Sequence, residues 1–149
     1  MAARRLPRHS SQAVPILSEV EEEAVMENRS LFERLGGSSG IAALVEEVLA
    51  MHMENPVIRA RFRPYLGTDK LTVAKKHLCA FLEAGSGGPA QYTGRSMVDA
   101  HRGMNVSEAE YMAAIDDILA ALRKHAVDEQ TQKDVLAIAY TLKGDIIHV

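Results

Sequence analysis

Six histidines and a single cysteine are the side chains of this 149-residue chain best suited to ligate a metal or exchange a proton near neutral pH. Cys79 stands alone, which excludes an internal disulfide framework and a Cys-rich zinc site. His101 closes a short segment, Arg95 to Arg102, that stops at Gly103. Met97 one turn earlier, and Met104 and Val106 just after, give that imidazole apolar neighbours. His77 lies beside the apolar stripe of a long helix. His52 ends the inward face of another, where a helix C-terminus suits a protonated imidazole in a capping or edge role, with a pocket-lining role as the alternative. His125 and His148 fall near helix ends, and His9 in the N-terminal stretch. A histidine taken singly is more often an ordinary surface or core residue than a ligand.

Glycine divides the elements that must position these side chains. Leu31 to Leu35 makes a short helix stopped by Gly36-Gly37. Ile41, Leu44, Val45, Val48, Leu49 and His52 then recur at three and four residues, so one face of a second helix points inward. That helix ends near Asn55-Pro56, because proline cannot continue the hydrogen-bond ladder. Val57 to Leu66 is a tighter connection carrying Phe62, Pro64 and Tyr65. Leu71, Ala74, Leu78, Phe81 and Leu82 form the stripe of a helix from about Thr68 to Ala84, broken by Gly85 to Pro89. Ser107 with Glu110 reads as a capping box for the next helix, whose inward face is Tyr111, Ile115, Ile118, Leu119 and Leu122. Asp128 caps a last helix lined by Val135, Ile138, Leu142 and Ile146. The fold class is all-α.

Residues 1–28 read as an N-terminal extension, mobile or partly helical, ahead of a domain over residues 29–149. The extension begins with Arg4, Arg5 and Arg8 and ends in the acidic run Glu19, Glu21, Glu22, Glu23 and Glu27; Val14-Pro15-Ile16-Leu17 is too short for a secretory signal. Nothing in residues 17–28, which tolerate a helix, fixes a docking face. A formal charge of −3 argues against nucleic acid as a partner. No apolar run reaches the 18 or so residues of a membrane span. A cytoplasmic protein, monomeric or weakly dimeric, is the expectation.

Three glycine motifs, in order, carry a family resemblance. They are Leu35-Gly36-Gly37; Gly87-Gly88-Pro89 followed by Tyr92-Thr93-Gly94-Arg95 and Met97; and Ala100-His101 with Gly103-Met104. With Phe62 between the first two, the chain from Leu31 to Val149 resembles the truncated, two-over-two haemoglobins, group I in particular. A planar cofactor held in so small a domain requires abrupt helix ends, and glycine reaches the backbone angles of such turns.

The resemblance implies a haem b cofactor with His101 as its proximal iron ligand. It places His77, four residues before Phe81, on the distal helix, either as a sixth iron ligand or at the pocket edge near water or a propionate. Phe62 matches the family's haem-stacking phenylalanine, and Leu49, Leu71, Ala74, Leu78, Phe81, Met97 and Val106 are expected to line the pocket. Arg95, Lys70 and Tyr92 are candidate propionate contacts. The chain departs from group I where Leu49 replaces the usual distal tyrosine, and Ala74 and Leu78 replace other distal donors. None of these three can donate a side-chain hydrogen bond. Pro64 to Lys70 is also longer than in typical members. Cys79 falls off the stripe and reads as a small packed residue.

The implied function is reversible binding of dioxygen, nitric oxide or carbon monoxide, with a reductase as an additional partner. Haem-dependent nitric oxide dioxygenation or peroxidase-like chemistry is the enzymatic alternative. A haem-free helical interaction domain is the third.

Overall fold

A computed structural model describes residues 18–149. Arg4, Arg5, Arg8, His9 and Val14 to Leu17 lie outside the described residues, as do the side chains of Glu23 and Glu27. The first helix, α1 (Glu19–Glu27), starts where Ser18 N–H and Oγ–H both donate to the Glu21 carboxylate. Val20 and Val25 on it are exposed.

Local chemistry sets most of the remaining starts and stops. Ser30 and Glu33 form a capping box on the one-turn helix α2 (Leu31–Arg34). Gly36, at φ +87°, then turns the chain into α3 (Gly37–Glu54). That turn is tight enough that a side chain at Gly40 would meet the Leu35 carbonyl at 2.1 Å. The helix ends at Asn55, before Pro56. One turn, α4 (Arg59–Phe62), and a 3-10 turn over Arg63–Tyr65 lead into α5 (Asp69–Gly85). Helix α6 is Met97–His101, α7 is Glu108–Lys124 and α8 is Glu129–Ile146. The expected caps form: Ser107 and Glu110 box the start of α7, and Asp128 accepts from both Thr131 N–H and Oγ1 on α8.

Helix α3 is the hub. It packs on α5 on one side and α7 on the other, while α7 lies on α8 and α6 on α8. Two helices therefore lie over two. All six inward residues read from the α3 periodicity are buried: Ile41, Leu44, Val45, Val48, Leu49 and His52. With Leu35, Ala121 and Leu122, the apolar five make the main core cluster. Truncating Ile41 to alanine there costs about 2–5 kcal/mol. A second cluster of Val106, Tyr111 and Ile115 sits toward the end of α8, and Ile118 and Leu119 touch both. On α8 one expected inward residue faces out: Ile138 is exposed. Its neighbour Ala139 faces α7 instead, where its carbonyl accepts from the buried Tyr111 hydroxyl.

Candidate haem-binding site

The short helix α6 exists because Ser96 caps it, accepting from Asp99 N–H at 3.1 Å. That places His101 one turn after Met97, and His101 Nδ1 lies 2.8 Å from the Met97 carbonyl. A carbonyl only accepts, so Nδ1 carries a proton, and the neutral tautomer this selects has its lone pair on Nε2. This is the arrangement a metal-ligating imidazole needs, with one nitrogen orienting the ring and the other free to coordinate.

The chain beyond His101 is tied down from both sides. Gly103 N–H donates to the Val149 carbonyl at 3.1 Å, and His148 N–H donates to the Val106 carbonyl at 3.0 Å. Val106 thereby pairs in parallel with Ile147, and His148 Nδ1 meets Asn105 Oδ1 at 2.8 Å. From the other side, Arg61 Nη1 donates to the Met104 carbonyl at 2.9 Å. The same guanidinium grips Glu110 through two bonds of 2.6 and 2.9 Å, and Ser107 N–H adds a third donor to that carboxylate. Hydrogen bonding from Arg61, then from Ser107, holds the Glu110 pKa down to about 2. Met104, expected as an apolar wall for His101, is exposed. After the Gly103 turn, at φ +81°, Met104 offers its carbonyl to Arg61 while its side chain faces out. Val106 is buried, packed with Tyr111 and Ile115.

On the other side, Leu71, Leu78, Cys79 and Leu82 of α5 rest on the α3 core. At about 100° per residue, Ala74, His77 and Phe81 fall on the neighbouring face. Tyr92 stands beside that face, with its ring edge-on to Phe81 at 5.2 Å and to His77 at 6.4 Å. Its hydroxyl donates to the Arg95 carbonyl at 2.7 Å, which fixes the ring. Ala74, His77, Lys70 and Arg95 are exposed, and Phe81, Tyr92 and Met97 are half-buried. Burial pushes the Cys79 thiol pKa up, which disfavours a thiolate.

Leu49 is buried within the α3 core and has no side-chain donor. Phe62 closes α4 and lies against the His52 ring, centroids 4.9 Å apart. His52 is not at an edge: it is 6% exposed, with Nδ1 2.8 Å from Asp117 Oδ2. Burial outweighs the raising influence of Asp117 and moves its pKa down. A neutral imidazole donating Nδ1–H replaces the protonated one expected from its helix-end position. Sequence periodicity identified His52 as inward-facing, but gave no sign of Asp117 or of the Arg61–Glu110 pair.

These residues fit a haem. Phe81, Tyr92, Met97 and Val98 are half-buried apolar groups outside both core clusters. Helices α5 and α6 contain no fully buried residue despite their apolar faces. Among the described residues no group of three or more His, Cys, Asp or Glu could hold a bare metal ion. An imidazole offering Nε2 without such a group around it suits a metal that arrives with its other ligands, as porphyrin iron does.

The two-over-two arrangement and this histidine define a globin architecture. The bacterial-like globin family matches residues 30–148. The chain is 29% identical over 101 residues to a group 1 truncated hemoglobin of Tetrahymena thermophila, covering 68% of this chain and 80% of the relative. It is 28% identical over 119 residues to the group 1 truncated hemoglobin GlbN of Nostoc sp. (strain MUN 8820), covering 80% and 98%. Among solved structures, the Fe(III) truncated hemoglobin of Tetrahymena pyriformis superposes with a TM-score of 0.73 at 23% identity, over 81% of this chain and 100% of that one. The 2/2 hemoglobin of Synechococcus sp. PCC 7002 gives 0.70 at 22%, over 80% and 98%.

The chain belongs to the bacterial-like globin family, and its fold is the truncated two-over-two globin fold. Haem-based binding of diatomic gases follows from that membership. Among the described residues no helix is long and apolar enough to cross a membrane.

Proposed function

We propose that this protein holds haem b through His101 and binds dioxygen, nitric oxide or carbon monoxide reversibly in competition with His77. The carrying observation is the His101 Nδ1–H bond to the Met97 carbonyl, which leaves Nε2 free and aimed by a fixed ring. When bound, haem would supply an iron able to take up a diatomic gas. His101 would hold that iron through Nε2, and the Gly103–Val106 tether keeps its helix in place.

On the opposite side, His77 is the histidine best placed on the α5 stripe that carries Ala74 and Phe81. Tyr92 packs edge-on beside it and limits where the imidazole can swing. Leu49, Ala74 and Leu78 offer no side-chain donor to an incoming gas, so His77 both closes the site and is the group able to steady a bound ligand. Apparent gas affinity is then reduced by the fraction of molecules in which His77 is bound.

Titration of the haem-free chain with haemin tests the reading. A Soret band saturating at one haem per chain is expected. No Soret band would remove the proposal.

A further inference from the structure

His52 and Asp117 form the most deeply buried ionisable pair in ring contact with a residue of the expected haem pocket. His52 donates Nδ1–H to Asp117 Oδ2 at 2.8 Å. Asn55 Nδ2 bonds the same carboxylate at 3.0 and 3.1 Å. Asn55 Oδ1 in turn accepts from Val57 N–H at 3.0 Å, and its carbonyl accepts from Ile58 and Arg59 N–H. One network therefore joins the end of α3, the middle of α7 and the start of the connection that leads to Phe62. The His52 ring lies 4.9 Å from the Phe62 ring at 40°.

An apolar side chain would fill the His52 position without the cost of burying an imidazole and a carboxylate. A hydrogen-bonded imidazole does something an aliphatic group cannot: both its place and the direction of its ring face are fixed. Aromatic contacts depend on that direction. We propose that His52, locked by Asp117, is a positioning residue that sets the orientation of Phe62 and so the shape of the haem pocket; the inference rests on the reading that Phe62 lines that pocket. Asp117 and Asn55 act through His52, and none of the three needs to touch the cofactor.

His52→Gln separates positioning from simple stapling, because glutamine can still donate to Asp117 but has no ring. Two readouts are made on the full chain. One is the rate of haem transfer from the loaded protein to excess apomyoglobin. The other is the Phe62 ring resonance in phenylalanine-labelled, haem-free protein, where the chain's three phenylalanines make assignment by Phe62→Leu direct. His52→Gln is expected to lose haem about two- to tenfold faster and to shift the Phe62 resonance. Asp117→Asn keeps one acceptor oxygen for Nδ1–H while losing one acceptor for Asn55, and it is expected to stay closer to the wild type than His52→Gln in both; values beyond those of His52→Gln would count against the ring as the positioning element. A His52→Gln variant with the wild-type haem-loss rate and an unmoved Phe62 resonance overturns the inference while leaving the haem reading intact. A wild-type chain that takes up no haemin overturns both.

Discussion

Between Gly103 and Val106 the chain is held by the Val149 and His148 backbone on one side and by Arg61 on the other. The α5 stripe of Ala74, His77 and Phe81 has a single aromatic ring, Tyr92, lying beside it. The helices themselves repeat the contrast. Helix α6 is only five residues long, yet it carries a side-chain cap and a loop fastened at its end. Helix α5 runs for 17 residues without a side-chain cap at Thr68, whose hydroxyl bonds back to Tyr65 instead. In the proposed reading, one wall holds its histidine still and the other lets its histidine yield. A gas-binding site needs both, an anchor that keeps the cofactor and a gate that a small ligand can displace.

The largest effect should come from cutting the anchor. His101→Gly is expected to lower haem affinity by more than the roughly 10–100-fold that loss of an outer-shell partner costs. Added imidazole should restore the Soret band in that variant. Normal haem retention without imidazole would mean that another residue holds the iron.

His77→Ala breaks the gate and leaves the anchor. Haem should be retained, the ferric spectrum should become high-spin or water-bound, and carbon monoxide should bind faster in stopped flow. Stability should move by no more than about 0.5 kcal/mol, since His77 is exposed. If carbon monoxide binds at the wild-type rate, His77 is not the gate.

The loop tether is tested by Glu110→Ala, which removes the Arg61 grip and half of the α7 capping box. A loss of about 2 kcal/mol in urea unfolding is expected, with faster haem loss. The pH dependence has a fixed sign. The Glu110 pKa is about 2 in the fold and about 4.3 in an unfolded chain. Its contribution is therefore present above about pH 4.3 and disappears as pH falls toward 2. Glu110→Gln should flatten stability across that window. Ser107→Ala, which removes only a cap hydroxyl, should cost about 1 kcal/mol and leave the carbon monoxide rate unchanged.

What the sequence made legible was local. The inward face of α3 was readable because a helix buried on one side repeats its apolar residues every three or four positions, and all six expected residues are buried. Ser107 with Glu110, and Asp128, were readable because caps act over three residues. His101 stood out through its glycine-flanked motif, and the structure adds its bond to the Met97 carbonyl within one turn; its role toward iron is the proposed one. The unread parts join distant positions. Arg61 and Glu110 are 49 residues apart, and His52 and Asp117 are 65 apart. Such pairs leave no period in the sequence, because each partner can be read only within its own helix until the fold brings the two together. Met104 misled for a related reason: its apolar character suggested a wall, but the tether uses its backbone and leaves its side chain outside.

The contrast between anchor and gate meets its most direct test in the absorption spectrum of the ferrous, haem-loaded protein without added ligand. Two histidines on the iron predict a low-spin spectrum with resolved visible bands. A five-coordinate, high-spin spectrum would contradict His77 as the resting sixth ligand.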